Sequence, residues 1–230
     1  MRAMILAAGR GERMRPQTDH CPKPLLPAAG KPLIVYHLER LAAAGFRNTV
    51  INHAHLGEQL VTALGDGRQW GLSITWSPEP VGALETAGGI RQALTHLDDG
   101  NDSPFLVING DIYCDWPMRA HTLAENDLAH LILVDNPQQH PAGDFTLTGD
   151  RVVEKSDGAA TLTFAGIGFY RPSLFSKLIA GKPAKLAPLL RSAMVDEHVS
   201  GEHYLGRWED VGTPARLARL DAELRARPAR

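Results

Sequence analysis

Short apolar runs alternate with helical periodicity through the first half of this 230-residue chain, and that alternation constrains its fold more than any other feature. Runs at Ala3–Ala7, Thr49–Asn52, Leu72–Trp76, Phe105–Asn109 and Leu128–Val134 have the length and composition of strands. Strands separated by helices pair in parallel through crossovers, with helices covering both faces of the sheet. Between the first two runs, Pro32 stands where a first helical turn tolerates proline. Ile34, Leu38 and Leu41 share one helical face, and Gly45 supplies a stop. A second helix is expected from Thr86 to about Leu97. Beyond Asn136 the pattern changes. Segments at Asp144–Leu147, Val152–Val153 and Thr161–Tyr170 read as antiparallel strands split by Gly and Asp turns, and Leu186–Val195 and Pro214–Leu224 read as helices. The expected fold is α/β: a three-layer sandwich with a mostly parallel central sheet and a small antiparallel C-terminal part. It forms a single domain over residues 1–224, with a flexible tail at 225–230. No helical or hexapeptide repeat extends it into a solenoid.

Charge and cysteine content narrow the function. A net charge of -2 provides no footprint for nucleic acid or an anionic membrane, so any bound phosphate must be met by a local cluster. Cys21 and Cys114 are too few for a disulfide framework and lack zinc-ligand spacing. The apolar run Met4–Ala8 breaks at Gly9-Arg10, too short for a signal h-region, and a cytoplasmic protein is expected. The ten histidines include no convincing ligand pair, and His53 and His55 are expected to flank a strand end.

The chemistry begins after the first strand. In Ala8-Gly9-Arg10-Gly11-Glu12-Arg13-Met14-Arg15-Pro16, two glycines allow backbone N–H groups close to an anion and the arginines supply charge. Met14 occupies the third glycine position of a dinucleotide fingerprint, and no Gly-Lys-Ser/Thr follows to make a Walker loop. On turn chemistry alone, Gly-x-Gly is equally a tight turn. The next segment, Cys21-Pro22-Lys23-Pro24-Leu25-Leu26-Pro27, holds Lys23 on a stiff, proline-restrained backbone suited to aiming an ammonium at phosphate oxygens.

Together these segments resemble the sugar-1-phosphate nucleotidyltransferases. The resemblance continues through Gly30–Ile34, Leu84–Gly89, Asn109-Gly110-Asp111, Ala165-Gly166-Ile167 and Trp208–Pro214, so it spans nearly the whole chain in order. It implies a Rossmann-like, glycosyltransferase-A-like sandwich, with a nucleotide-binding half over about 1–135 and a sugar-binding half over about 136–224. Arg13 and Lys23 become the catalytic cations, because fixed positive charge lowers the repulsion between two reacting phosphates. The nucleotide site would comprise Ala8, Gly9, Gly11, Arg13, Lys23, Glu79, Thr86, Gly88, Asn109 and Asp111. The sugar site would comprise Gly143, Glu154, Lys155, Ala165 and Gly166. Asp111 and Asp210 would hold Mg2+, a cation that needs few carboxylates when phosphate and water complete its shell. Asp115 and Glu209 are rival ligands that spacing does not exclude.

An ionised glutamate only accepts hydrogen bonds, so Glu79 suits the N3–H of uracil and UTP is the expected nucleotide. Glu85 departs from the commoner pattern, which places a glycine before the threonine. Further stretches, Ile51–Ala54, Gly143–Phe145, Thr161–Phe164, Lys185–Arg191 and Gly201–Tyr204, resemble the branch that uridylylates a muramic acid 1-phosphate in cell-wall sugar recycling. That sugar carries a lactyl carboxylate, for which Lys155, Lys185 and Arg191 are candidate cations. The expected partners are thus UTP and a sugar 1-phosphate, with no nucleic acid and no membrane.

Overall fold

The computed structural model describes residues 1–80, 84–156 and 158–226. The chain begins with β1 (Ala3–Leu6), a small hairpin of β2 (Pro27–Ala28) and β3 (Lys31–Pro32), and α1 (Leu33–Ala43). Next come β4 (Asn48–His53), α2 (Gly57–Leu64), β5 (Ser73–Pro78) and α3 (Glu85–Leu97). After β6 (Phe105–Asn109) come the short β7 (Ile112–Cys114), β8 (Ala129–Val134), β9 (Phe145–Thr148), β10 (Arg151–Glu154) and β11 (Thr163–Tyr170). The chain closes with α4 (Leu186–Val195), β12 (Val199–His203), β13 (Trp208–Asp210) and α5 (Pro214–Arg225). Residues 227–230, the greater part of the expected tail, lie outside the described residues.

One nine-stranded sheet carries the order β5-β4-β1-β6-β11-β8-β12-β10-β9. Its first four strands are parallel, as helix-linked apolar runs require. Side-chain alternation then builds a core on each face. From β1, Ala3 and Ile5 meet Ile34, Leu38 and Leu41 of α1 and Leu60 and Leu64 of α2, while Met4 faces Ala87, Ile90 and Leu94 of α3. The same split recurs in β6 and β8, and α4 adds Leu186, Leu190 and Met194 to the second face. Three layers result. A smaller cluster joins Met14, Leu26 and Leu33 to Val211, Leu217 and Leu220, and ties α5 to the loop after β1. No helix among the described residues is long and apolar enough to cross a membrane.

The expected α/β sandwich with an antiparallel C-terminal part is present, and most of that part joins the large sheet. Strand β11 enters the large sheet between β6 and β8, antiparallel to both. Strand β12 pairs parallel with β8. Neither β12 (Val-Ser-Gly-Glu-His) nor β13 (Trp-Glu-Asp) shows an apolar run, which hid both strands from pattern reading. Helix α2 escapes pattern reading because its eight residues make only about two turns, with Leu60 and Leu64 its buried side chains beyond Gly57.

Candidate active site

The site lies at the carboxyl ends of the parallel strands, where open α/β sheets leave a crevice. Leu6 closes β1 with Asn52 of β4 on one side and Asn109 of β6 on the other. The loop leaving β1 is tied down at once: the Ala7 amide donates to Asn52 Oδ1 at 2.7 Å, and Asn52 Nδ2 donates to Glu79 Oε1 at 2.6 Å. Glu79 Oε2 accepts from the Leu84 amide at 2.9 Å, so both oxygens of this buried carboxylate are held. Gly11 has φ +68 and opens a short 3-10 turn at Glu12–Met14. A Cβ there would lie 3.2 Å from Lys23 Cβ and 3.0 Å from Thr18 Cγ2, so the loop packs directly on the lysine stem. Gly9 faces open space.

Two adjoining cavities result. The larger, of about 680 Å³, is lined by Ala8, Gly9, Gly11, Arg13, Lys23, Asn52, Glu79, Glu85, Thr86, Asn109, Asp111 and Gly212, among others. The smaller, of about 290 Å³, is lined by residues that include Gln139, His140, Thr163, Phe164, Ala165, Gly166, Trp208 and Asp210. Arg13, Asn109 and Asp111 line both, which places their side chains at the junction.

That junction is built from residues distant in sequence. Lys23, only 8% exposed in its side chain, donates from Nζ to Asp111 Oδ2 at 2.6 Å. Strands β7 and β13 pair as an antiparallel ribbon with Asp210 opposite Ile112, and the Val211 amide donates to the Asp111 carbonyl at 3.0 Å. The ribbon sets Asp210, the last residue of β13, near Asp111, the residue just before β7. Arg216 Nη1 meets Asp210 Oδ2 at 2.5 Å from the first turn of α5, whose N-terminus is capped by Thr213. Gly212 leaves room for two guanidinium groups: a Cβ there would lie 2.8 Å from Arg216 Nη2 and 3.0 Å from Arg13 Nη2.

The chemistry of this donor set suits a hard divalent cation. Among the described residues, Oδ1 of Asp111 and Oδ1 of Asp210 have no hydrogen-bond partner, and no third His, Cys, Asp or Glu joins them into a closed cage. Magnesium characteristically takes one or two carboxylates and fills its octahedron with phosphate oxygens and water. The rival aspartate is engaged elsewhere, since Asp115 Oδ1 accepts from Tyr204 Oη at 2.6 Å and the Arg207 amide at 2.7 Å. Glu209 is held by Arg219 Nη2 at 2.6 Å.

Behind the ribbon, His37 is fully buried and its Nε2 donates to the Ile112 carbonyl at 3.0 Å, beside Asp111. Burial, aided by the nearby Arg40 cation, pushes this imidazole down to about 4. Burial likewise pushes the Cys114 thiol up to about 11, leaving it an inert apolar group.

Of the residues expected from sequence, Ala8, Gly9, Gly11, Arg13, Lys23, Glu79, Thr86, Asn109, Asp111, Ala165, Gly166 and Asp210 come together on the walls of these cavities. Gly88 lies behind the wall. Its amide donates to the Ala184 carbonyl at 3.1 Å, and a Cβ there would meet Lys182 O at 2.6 Å. Gly143, Glu154 and Lys155 do not line either cavity. Lys155 Nζ donates to Gly143 O at 3.2 Å, and Glu154 pairs with Arg191 at 2.9 Å on an exposed surface.

Sequence reasoning missed Asn52, Gln139, His140 and Trp208. Asn52 was findable, as a polar residue near the end of a strand, and Trp208 opens the stretch Trp208–Pro214 already singled out; nothing local marked Gln139 or His140. The departure at Glu85 also has a backbone meaning: its φ is +59, a left-handed conformation that favours glycine.

Known proteins are similar to this chain in sequence and in fold. The nucleotidyl transferase family model matches residues 2–227. The chain is 54% identical over 228 residues to N-acetylmuramate alpha-1-phosphate uridylyltransferase of Neisseria meningitidis serogroup B, covering 96% of this chain and 97% of the relative. It is 35% identical over 239 residues to the enzyme of that name from Caulobacter vibrioides, covering 97% and 96%. A crystal structure described as a Bacillus anthracis glucose-1-phosphate thymidylyltransferase with a sucrose superposes with a TM-score of 0.83 at 22% identity, over 100% of this chain and 97% of that one, which establishes the shared fold. The full-length family match, the near-complete alignment and a cleft lined by glycine loop, lysine and paired aspartates agree: this chain belongs to the nucleotidyl transferase family.

Proposed function

We propose that the chain transfers the uridylyl group of UTP to the 1-phosphate of N-acetylmuramic acid, forming the UDP-sugar and pyrophosphate, in the cytoplasm and in the recycling of cell-wall sugar. The relatives at 54% and 35% identity carry this activity in their names, and near-complete alignment supports extending it to this chain. The observation that carries the reading is the junction itself. Arg13 and Asp111 line both cavities, and Lys23 lies within 2.6 Å of Asp111. Two phosphate-bearing ligands, one per cavity, would meet there.

In this reading the nucleotide occupies the larger cavity, built from residues before about 135 apart from Gly212, and the sugar the smaller, built largely from residues beyond 136. A sugar phosphate oxygen attacks the α-phosphorus in line, and the bond from that phosphorus to the oxygen bridging to the β-phosphate breaks. The nucleophile is already anionic at neutral pH, so no side-chain base is needed. Gly9 and Gly11 let backbone amides approach the triphosphate, and Arg13 receives the departing pyrophosphate. Lys23 offsets negative charge between the phosphates, where it is most concentrated. Asp111 and Asp210 would hold Mg2+, which supplies Lewis-acid neutralisation of the phosphate oxygens. Glu79, fixed by Asn52 and the Leu84 amide, keeps an acceptor lone pair on each oxygen for the uracil N3–H. Thr86, Asn109, Ala165 and Gly166 complete the contacts. Two unpaired thiols, Cys21 and Cys114, suit a reducing compartment.

Pyrophosphate release measured over a grid of triphosphates and sugar 1-phosphates, with and without Mg2+, tests this directly. UTP with N-acetylmuramic acid α-1-phosphate should give the highest kcat/KM, and chelation should abolish turnover. A preference for GTP with mannose 1-phosphate would move the chain to another branch. Tight UTP binding without turnover on any sugar phosphate would refute catalysis.

A further inference from the structure

The smaller cavity carries a potential cation that sequence patterns did not single out. Its basic side chains, among the described residues, are Arg13 and His140. Arg13 is drawn to the phosphate junction, where its Nη2 lies beside Gly212. Lys155, Lys185 and Arg191 line neither cavity. The Lys155 ammonium is bonded to Gly143 O, Arg191 is paired with Glu154, and Lys185 stands at the N-cap of α4. A carboxylate on a sugar seated in this cavity would therefore have His140 as its partner.

The setting of His140 supports that role. The Gly143 amide donates to the His140 carbonyl at 3.2 Å and the His140 amide to the Pro137 carbonyl at 2.8 Å, which fixes the turn that presents the ring. Asn136 Nδ2 donates to Pro141 O and to Thr161 O, fastening that turn to the segment entering β11. His140 Nε2 lies 2.9 Å from Asp144 Oδ1, and Asp144 Oδ2 accepts from the Phe164 amide at 2.9 Å in the cavity wall. Asp144 thus orients the imidazole and assigns a proton to Nε2. The other ring nitrogen, Nδ1, has no protein partner among the described residues, and the side chain is 43% exposed, open to a ligand. A sugar carboxylate at Nδ1 would set the ring between two carboxylates, with one ring nitrogen facing each.

We infer that His140, oriented by Asp144, is a specificity-determining residue that recognises the lactyl carboxylate of the muramic acid substrate. This rests on the substrate proposed above.

The test uses the full chain at saturating UTP with three sugars: N-acetylmuramic acid α-1-phosphate, its lactyl amide, and N-acetylglucosamine α-1-phosphate, the last two as substrates or competitive inhibitors. A hydrogen bond to a charged group corresponds to a loss of about tenfold or more. His140→Ala should raise KM for the muramic substrate by at least that factor with kcat within about threefold. The wild type should show the same loss with the amide, and the variant should not distinguish acid from amide. His140→Gln, close in size and neutral, should fall between them, with thermal unfolding confirming that both variants fold. An unchanged KM, or equal weakening of acid and amide, would overturn the inference. A wild type that turns over N-acetylglucosamine 1-phosphate but not the muramic sugar would instead strike the substrate reading beneath it.

Discussion

Mild acid should loosen this fold through His37, and the size of the effect follows from its burial. The imidazole has no solvent exposure to speak of, donates from Nε2 to the Ile112 carbonyl, and leaves Nδ1 without a partner. Its folded pKa is pushed down to about 4, against an ordinary value of 6.5. The unfolded chain therefore takes up a proton below pH 6.5 that the folded chain refuses until about pH 4. Stability falls as pH drops through that window, by at most about 1.4 kcal/mol per pH unit and about 3 kcal/mol in all. Between pH 7 and pH 5 the loss from His37 integrates to about 1.8 kcal/mol. His130, also buried and also pushed down to about 4, acts in the same direction, so the comparison must be with a variant. His37→Gln keeps an N–H donor for Ile112 O and removes the titration. Urea unfolding at pH 7 and pH 5 should show the variant losing about 1.8 kcal/mol less than the wild type. Equal losses in both proteins would refute the reasoning, because the histidine would then not be held neutral.

Two further outcomes probe the site. Lys23→Met keeps the buried stem against Gly11 and removes the ammonium, so it should fold normally while kcat falls by about 10²–10³, the usual effect of deleting one electrostatic stabiliser. A kcat within about threefold of wild type, under ~1 kcal/mol, would exclude the phosphate role. Gly166→Ala places a Cβ 2.6 Å from Asn109 Nδ2 at φ +75, so it should cost about 2 kcal/mol in urea unfolding and lower turnover by displacing Asn109. A change below about 0.5 kcal/mol would mean the two residues are not packed as described.

Much of the first half was legible because its signals are local. Parallel strands under helices read as apolar runs, and the expected strand at Thr49–Asn52 and helix at Thr86–Leu97 differ from the observed β4 and α3 by a residue or so at their ends. The loop from Ala8 to Pro16 and the prolines around Lys23 were legible for the same reason: glycine and proline act on their own backbone angles. The smaller cavity was harder. Gly166 was named only through the family resemblance, whereas Gln139 and His140 reach their cavity through a turn fastened by Asn136 and Asp144, and turn contacts leave no period to read. Glu154 ends and Lys155 follows a strand that ends outside both cavities, a position their charge gave no means to anticipate.

By itself, the order of residues determined the class of fold, the glycine-bearing loop after β1 and the set of charged groups available for chemistry. These are consequences of periodicity and of backbone preferences that act within a few residues. Tertiary structure alone decided which of those groups meet. The pairing of β7 with β13 chose Asp210 over Glu209 as the neighbour of Asp111, and the fold set Arg191 outside the smaller cavity, where it pairs with Glu154. Such choices depend on strand register and on competition between partners far apart in the chain, and they exist only once the whole sheet has formed.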